Sequence, residues 1–195
     1  MDEHELEGTT TEGYKVGEKK TIDELKNLDA EDEALNKWKA SLGLATGTPI
    51  GDPNDPRTVV IEEVALLVEG RSDIAVDLTK PHALEQLKKN PFTIKEGSEY
   101  RMRVKFRVQH EVISGLKYLH VVKRKGIKVD KSEEMMGSYG PNTETTPVYT
   151  KTFAVEEAPA GMLARGSYSA TTRFTDDDKK DHLTYDWAFD IKKEW

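Results

Sequence analysis

The sequence predicts an all-β protein, an immunoglobulin-like antiparallel β-sandwich with a flexible N-terminal helical arm. After residue 56 the period of the apolar residues changes from about 3.6 to 2, and eight or nine short strand patterns follow, separated by turn signals. The charge is also uneven, because residues 1–56 hold 14 acidic and 6 basic side chains, whereas residues 57–195 hold 22 and 23. We therefore divide the chain into an acidic arm, 1–56, and a sandwich domain, 57–195.

The arm begins with residues that have almost nothing apolar to bury, so residues 1–20 are predicted to be disordered when free. Thr21–Glu24 fits a capping box that opens a first short helix. Residues 43–56 hold three glycines and three prolines, which is typical of a linker that breaks both helix and strand.

A second helix is predicted between these segments. Asp29 is its expected N-cap, with Asp32 and Glu33 in the first turn. Its apolar stripe consists of Leu35, Trp38 and Leu42. Because helices this short are unstable alone in water, their stripes are expected to pack on the sandwich or on a partner.

Two segments of the sandwich alternate strictly between apolar and polar residues, 99–109 and 182–191. A β-branched run predicts a further strand over 58–68. Weaker strands are predicted at 73–78, 91–95, 116–123, 126–130, 148–155 and 165–174. A short helical insert is predicted at 81–90.

The apolar face of 182–191 is aromatic, with Tyr185, Trp187 and Phe189 in one row. Such a face fills the core of a sandwich, or it lines a cleft between the sheets that suits a long apolar ligand. Periodicity does not distinguish these two interpretations.

Several function classes are disfavoured. The chain has no cysteine, and its five histidines lack metal-ligand spacing, so we expect no metal and no cofactor. No nucleophile elbow, P-loop or dinucleotide fingerprint occurs, which disfavours an enzyme. A near-neutral domain with an acidic arm disfavours nucleic acid as a partner. The acidic N-terminus and the lack of an apolar run of about 20 residues predict a cytoplasmic protein.

Long motifs resemble the Rho GDP-dissociation inhibitor family, in order, from about residue 14 to the C-terminus. They are Leu28–Glu33, Lys95–Arg101, Ser114–Tyr118, Gly137–Pro141, Glu156–Tyr168 and Arg173–Lys179. The resemblance implies a non-enzymatic monomer that forms a heterodimer with GDP-bound, prenylated Rho- or Rac-type small GTPases. It also implies shelter of the geranylgeranyl group, extraction from membranes through a transient encounter with the membrane surface, and slowed GDP release.

The resemblance assigns roles by position. The residues expected to touch the GTPase, mainly its switch regions, are Asp32, Leu35, Trp38, Asp177 and Asp178. Those expected to face its polybasic tail are Asp130, Glu156 and Glu157. Those expected to line the isoprenoid pocket are Leu66, Phe92, Tyr100, Val112, Leu163, Ala170, Tyr185 and Trp187. Ser167 keeps a position that is phosphorylatable in the family. Tyr185 and Ala170 depart from the usual tryptophan and larger aliphatic residue, so the pocket is expected to differ in shape.

Two other classes stay open at this point. A prenyl or acyl carrier of the phosphodiesterase-delta type would share the sandwich but should lack the linked helical arm. A sandwich hydrolase would need a nucleophile and a base at a cleft.

Overall fold

The computed structural model describes residues 6–17, 20, 22–27, 32–42 and 48–195. Within them the chain forms three short helices and ten strands. The helices are α1 (Ile22–Asn27), α2 (Glu33–Ser41) and α3 (Ala83–Lys89). The strands are β1 (Val59–Val68), β2 (Ile74–Asp77), β3 (Phe92–Lys95), β4 (Glu99–Val108), β5 (Ile113–Arg124), β6 (Ile127–Tyr139), β7 (Tyr149–Thr152), β8 (Glu156–Glu157), β9 (Gly166–Thr175) and β10 (Asp181–Lys192).

The strands form two sheets, which confirms the predicted sandwich. The first sheet has the order β2-β1-β4-β7, with β8 also paired to β4, and the second has the order β3-β10-β9-β5-β6. The strand pairs are antiparallel apart from β3 and β10, which run parallel with Phe92 opposite Phe189. This pair departs from the fully antiparallel arrangement that the sequence predicts. The reason is that α3 connects β2 in one sheet to β3 in the other, so no hairpin fixes the direction of β3.

The core lies between the two sheets. On β4, Met102, Val104, Phe106 and Val108 are buried, and the basic residues between them are not. From the second sheet, β10 contributes Tyr185, Trp187, Phe189 and Ile191 to the same cluster. Both alternating patterns are therefore confirmed.

Three of the four basic residues of β4, Arg103, Lys105 and Arg107, form ion pairs on the outer face of the first sheet. Arg103 and Lys105 both reach the Glu63 carboxylate, at 3.2 and 3.1 Å. Arg107 contacts Glu62 on the same strand, β1. These cross-strand ion pairs neutralise most of the basic row on β4, so this row does not form a positively charged surface for nucleic acid.

Three predicted strands differ in length from the observed ones. β5 begins three residues before the predicted 116–123, β6 continues nine residues past the predicted 126–130, and the pattern at 148–155 contains only β7, with β8 just beyond it. β6 is the edge of its sheet, and most of its residues are exposed or half-buried. An edge strand of this kind lacks a clean apolar alternation, so the sequence does not reveal its length.

The N-terminal segment, residues 6–14, lies on the outer face of the second sheet. Leu6 is buried against Leu119 and Val121 of β5. The backbone N–H of Thr9 donates to Glu133 on β6, at 3.0 and 3.1 Å. The interpretation that residues 1–20 have almost nothing to bury therefore misses Leu6. This segment covers β5 from outside, which explains why Leu116–Val122 is buried on both faces.

The arm helices occur where the sequence predicts them, but α2 begins later. Asp32 is its N-cap, because its carboxylate accepts the N–H groups of Ala34 and Leu35 at 2.8 and 3.1 Å. Asp32 is therefore not in the first turn, and the predicted cap Asp29 lies outside the described residues, as do Thr21 and Leu28. No helix in the described part of the chain is long and apolar enough to cross a membrane.

Candidate functional site

A cavity of about 680 Å³ opens at one end of the sandwich. Its size lies within the range of roughly 300–1,000 Å³ that is typical of small-molecule sites. Tyr100 of the first sheet and Tyr168 of the second contribute rings to its wall. The aliphatic and other apolar side chains of the wall are Ile94, Val122, Val129, Ala158, Phe189 and Ile191. The cavity therefore suits an apolar ligand.

Three carboxylates stand at this cavity. Asp130 comes from β6, whereas Glu156 and Glu157 come from β8, and all three are exposed. The Tyr100 hydroxyl donates to Glu156 at 2.7 Å. Burial, together with this hydrogen bond, raises the pKa of Tyr100 well above its usual value, so the donor stays protonated. The structure thus brings together all three residues that were predicted to face a polybasic tail.

The aromatic wall continues from the cavity into the core. The ring of Phe189 stacks on Tyr168 with centroids 5.1 Å apart, and it contacts Trp187 at 5.4 Å. Trp187 in turn meets Phe92 edge-on at 5.7 Å and donates its indole N–H to Thr172 at 3.1 Å. The inner end of the cavity is therefore closed by packed rings.

The predicted isoprenoid residues fall into different environments. Tyr100 lines the cavity, and Phe92 packs half-buried on Trp187. Val112 lines a different cavity, and Leu163 is 90% exposed on the loop before β9. The remaining four are buried in the packed core: Leu66, Ala170, Tyr185 and Trp187. An isoprenoid role for these four stays a prediction, and it requires the rings at the inner end of the cavity to move.

Sequence reasoning missed Phe189 and Ile191 as cavity residues, although it placed both on the correct face of β10. The alternation gives the face, but it does not say which end of the sandwich opens. That information depends on how β3, β8 and the β5–β6 hairpin are arranged around the opening. The turn signals Glu96-Gly97 and Lys125-Gly126 mark where β3 and β5 end, but they do not say how these ends lie in space.

A second cavity, of about 270 Å³, lies between the arm and the sandwich. Trp38 of α2 and Leu25 of α1 face Val112 and Asp178 there. Trp38 remains 43% exposed, which is unusual for so large an apolar side chain on a helix. Two of the predicted GTPase-contacting residues, Trp38 and Asp178, thus meet at one site, and α2 also carries Leu35.

The adjacent carboxylates Asp177 and Asp178 have different environments. Asp177 is 5% exposed and pairs with Lys117, whose Nζ lies 2.6 Å from its Oδ1, and it also accepts from the Thr11 hydroxyl. Asp178 is exposed and accepts from the Tyr14 hydroxyl at 2.6 Å. This hydrogen bond, with a smaller contribution from burial, raises the pKa of Tyr14 to about 12. With the N-terminal segment docked, only Asp178 offers a carboxylate at the surface.

Ser167, the predicted phosphorylation site, is exposed at the start of β9, and its hydroxyl donates to Asp190 at 2.7 Å. A phosphate there would face a carboxylate, so modification would repel Asp190. Among the described residues, no group of three histidine or acidic side chains is arranged to hold a metal ion.

Comparison with known proteins gives a consistent result over the whole chain. The family model described as "RHO protein GDP dissociation inhibitor" matches residues 1–194. The Rho GDP-dissociation inhibitor of Schizosaccharomyces pombe is 53% identical, with 100% of this chain and 95% of that protein covered. The Rho GDP-dissociation inhibitor of Saccharomyces cerevisiae is 49% identical, with 92% and 90% covered. Human Rho GDP-dissociation inhibitor 1 is 45% identical, with 100% and 89% covered.

Proposed function

This chain belongs to the Rho GDP-dissociation inhibitor family, and from that premise we propose that it binds prenylated Rho- or Rac-type small GTPases in their GDP-bound state. It shelters the geranylgeranyl group, extracts the GTPase from membranes and slows the release of GDP. The chain acts as a cytoplasmic binding protein, not as an enzyme, and one copy binds one GTPase. The observation that carries this proposal is the apolar cavity with three carboxylates at its opening.

The energetics of extraction require such a cavity. Moving a chain of about 20 carbons out of lipid forfeits roughly 0.8 kcal/mol per buried carbon, on the order of 10–16 kcal/mol. A carrier must return most of this free energy through apolar contacts with the lipid and polar contacts with the GTPase. The cavity wall supplies the first kind of contact, and Asp130, Glu156 and Glu157 supply the second by attracting the cationic tail that precedes a prenyl group.

The arm supplies the protein recognition. The apolar side chain of Trp38 is 43% exposed beside Asp178, so a partner surface can cover it. An arm that binds the GDP-like switch conformation more tightly than the open one must slow nucleotide release, because the same differential affinity stabilises the GDP-bound form. This division of labour explains why a sandwich that holds lipid is joined to a helical arm.

The test is a binding titration of the full chain with one GDP-loaded Rho-type GTPase, with and without its geranylgeranyl group. We expect the prenylated form to bind at least about 100-fold more tightly, since burial of only a few carbons accounts for that factor. A prenylated Ras-type GTPase serves as the matched control and should bind weakly. Equal affinity for the prenylated and unprenylated Rho-type protein would contradict the proposal that the chain binds the geranylgeranyl group. Equal affinity for both prenylated GTPases would make the chain a general prenyl carrier.

A further inference from the structure

The β5–β6 hairpin is strongly basic in an acidic protein. Residues 123–131 hold five basic side chains and one acidic one, a net charge of +4, whereas the whole chain carries −7. The hairpin turns at Lys125–Gly126, and residues 125–131 are all exposed. The five basic residues therefore lie close together, at and beside the turn of one hairpin.

Large apolar side chains are exposed beside these cations. Ile127 at the hairpin tip is 71% exposed, and in the neighbouring loop before β9 Met162 is 83% and Leu163 is 90% exposed. Single exposed apolar residues are ordinary, but three of the most exposed ones in the described chain lie on two adjacent loops.

One arginine holds the two loops together. The Arg124 guanidinium donates to the carbonyls of Leu163 and Arg165, the latter at 2.5 Å, and it lies 5.2 Å from the centre of the Tyr168 ring. Arg165 is itself fixed to Glu96 at 2.6 Å. The apolar tips therefore project from a connected base and form one continuous surface with the cations.

This surface borders the candidate isoprenoid cavity. Arg124 and Val129 line the cavity wall, while Glu156 and Glu157 stand on the part of the wall that belongs to the first sheet. We name residues 123–131 together with 161–165 the basic lip. The carboxylates at the opening fit a cationic peptide, and they include Asp130, the one acidic residue within 123–131, which lines the cavity. The exposed lysines and apolar tips of the basic lip fit a surface that is anionic and takes up apolar side chains.

We propose that the basic lip docks the chain on the surface of an anionic lipid bilayer, with Ile127 and Met162 inserted among the headgroups. The inference rests on the proposed function, because it places the cavity opening against the membrane from which a prenyl group must be withdrawn. Lysines near such a surface attract anionic headgroups, and apolar tips add contacts with the acyl region. An acidic protein segment would match the cations but would give no reason for the exposed Ile127, Met162 and Leu163.

The test is flotation of the full chain, without a GTPase, on vesicles of phosphatidylcholine with or without about 30% phosphatidylserine. We expect binding only to the anionic vesicles and a steep loss of it with salt. The double variants Lys125→Glu with Lys128→Glu, and Ile127→Ser with Met162→Ser, should each lower partitioning by at least about tenfold. The matched controls are Lys89→Glu on α3 and Met135→Ser near the far end of β6, and both should partition like the unchanged chain.

Two results would overturn the proposal: equal partitioning of the lip variants and the controls, or equal binding to neutral and anionic vesicles. A separate titration with a soluble geranylgeranyl-cysteine analogue keeps the two inferences apart. None of the four substituted lip residues lines the cavity, so these variants should bind the analogue normally. Vesicle binding without analogue binding would contradict the proposed function but not membrane docking by the basic lip. Analogue binding without vesicle binding would contradict membrane docking alone.

Discussion

Gly115 permits the buried ion pair between Lys117 and Asp177. It has φ = +60°, a backbone conformation that favours glycine, and a Cβ at this position would collide with the Asp177 carboxylate. Asp177 cannot retreat freely, because its N–H donates to the Ser114 carbonyl at 3.0 Å. A side chain at Gly115 must therefore displace the carboxylate from Lys117.

Gly115→Ala is expected to lower the free energy of unfolding by at least about 3 kcal/mol, since a buried charge would lose its partner. Gly126→Ala is the matched control, because Gly126 has φ = +81° with no atom within 4 Å of the added Cβ. That variant carries backbone strain alone and should cost about 1 kcal/mol. Urea denaturation of both variants measures the difference, and equal losses would show that the contact with Asp177 is unimportant.

His120 should make stability depend on pH. Its ring lies between Tyr118 and Trp187, at 5.8 and 5.5 Å, and burial lowers its pKa from 6.5 to about 4. Between pH 6.5 and 4 the unfolded chain binds a proton at this residue that the folded chain does not. The free energy of unfolding is therefore unaffected by protonation of His120 above pH 6.5. As the pH falls from 6.5 towards 4, protonation of His120 in the unfolded chain lowers the free energy of unfolding by about 3 kcal/mol.

His120→Gln should remove this part of the pH dependence, while His82→Gln, at an exposed position, should retain it. The measurement is the free energy of unfolding of the two variants and the unchanged chain at several pH values from 7 to 4. Parallel curves for all three proteins would mean that His120 titrates normally in the fold.

At the scale of elements, α2 depends on its N-cap. Asp32 holds the first turn through two backbone N–H groups, so its carboxylate serves the helix as well as any GTPase contact. Removing a cap costs about 1 kcal/mol of helix stability, and removing a hydrogen bond to a charged group costs roughly 1.5–3 kcal/mol. The two roles can be separated, because serine caps a helix but carries no charge.

We expect Asp32→Ser to weaken binding to a prenylated, GDP-loaded Rho-type GTPase by about 10-fold or more while α2 still forms in the complex. Asp32→Ala should bind more weakly still, since it also loses the cap. Titration calorimetry gives the affinities, and amide exchange at Leu35 and Trp38 reports the helix. If the serine variant binds like the unchanged chain, Asp32 acts only as a cap and does not contact the GTPase.

The elements that the sequence predicts best are those with one buried face. β4 and β10 alternate cleanly because each lies inside its sheet and presents one side to the core. The length of β6 is underestimated because β6 is an edge strand. The packing of Leu6 is missed because β5, the strand that Leu6 covers, is more than 100 residues away in the sequence. Long-range contacts of this kind leave no local pattern in the sequence.

The candidate site is predicted only in part, because its lining also depends on long-range contacts. Motif resemblance brings Asp130, Glu156 and Glu157 together, and the structure places all three at one opening. The lining of the cavity is predicted less well: Tyr100 lies in it, whereas Trp187 lies in the packed core. Which aromatic residues face a cavity depends on where the two sheets separate, and residue types do not specify that position.

At the scale of the whole molecule, groups of opposite charge occupy different regions. The net negative charge lies in residues 1–56, carboxylates stand at the cavity, and the basic lip projects next to them. If both proposals hold, this arrangement places the membrane contact, the cationic tail and the GTPase surface at different positions on the protein. The arm is expected to supply the inhibition of nucleotide release, and the sandwich is expected to supply the lipid site.

The rate of GDP release from a geranylgeranylated Rho-type GTPase tests this account most directly, measured with the full chain and with a chain that lacks residues 1–54. All ten strands remain in the shortened chain, although Leu119 and Val121 lose their cover. We predict that the full chain slows release by about 5- to 150-fold at saturation. The shortened chain should bind a geranylgeranyl-cysteine analogue but leave release unchanged. Release that is unaffected by the full chain, or slowed equally by the shortened one, would contradict the account.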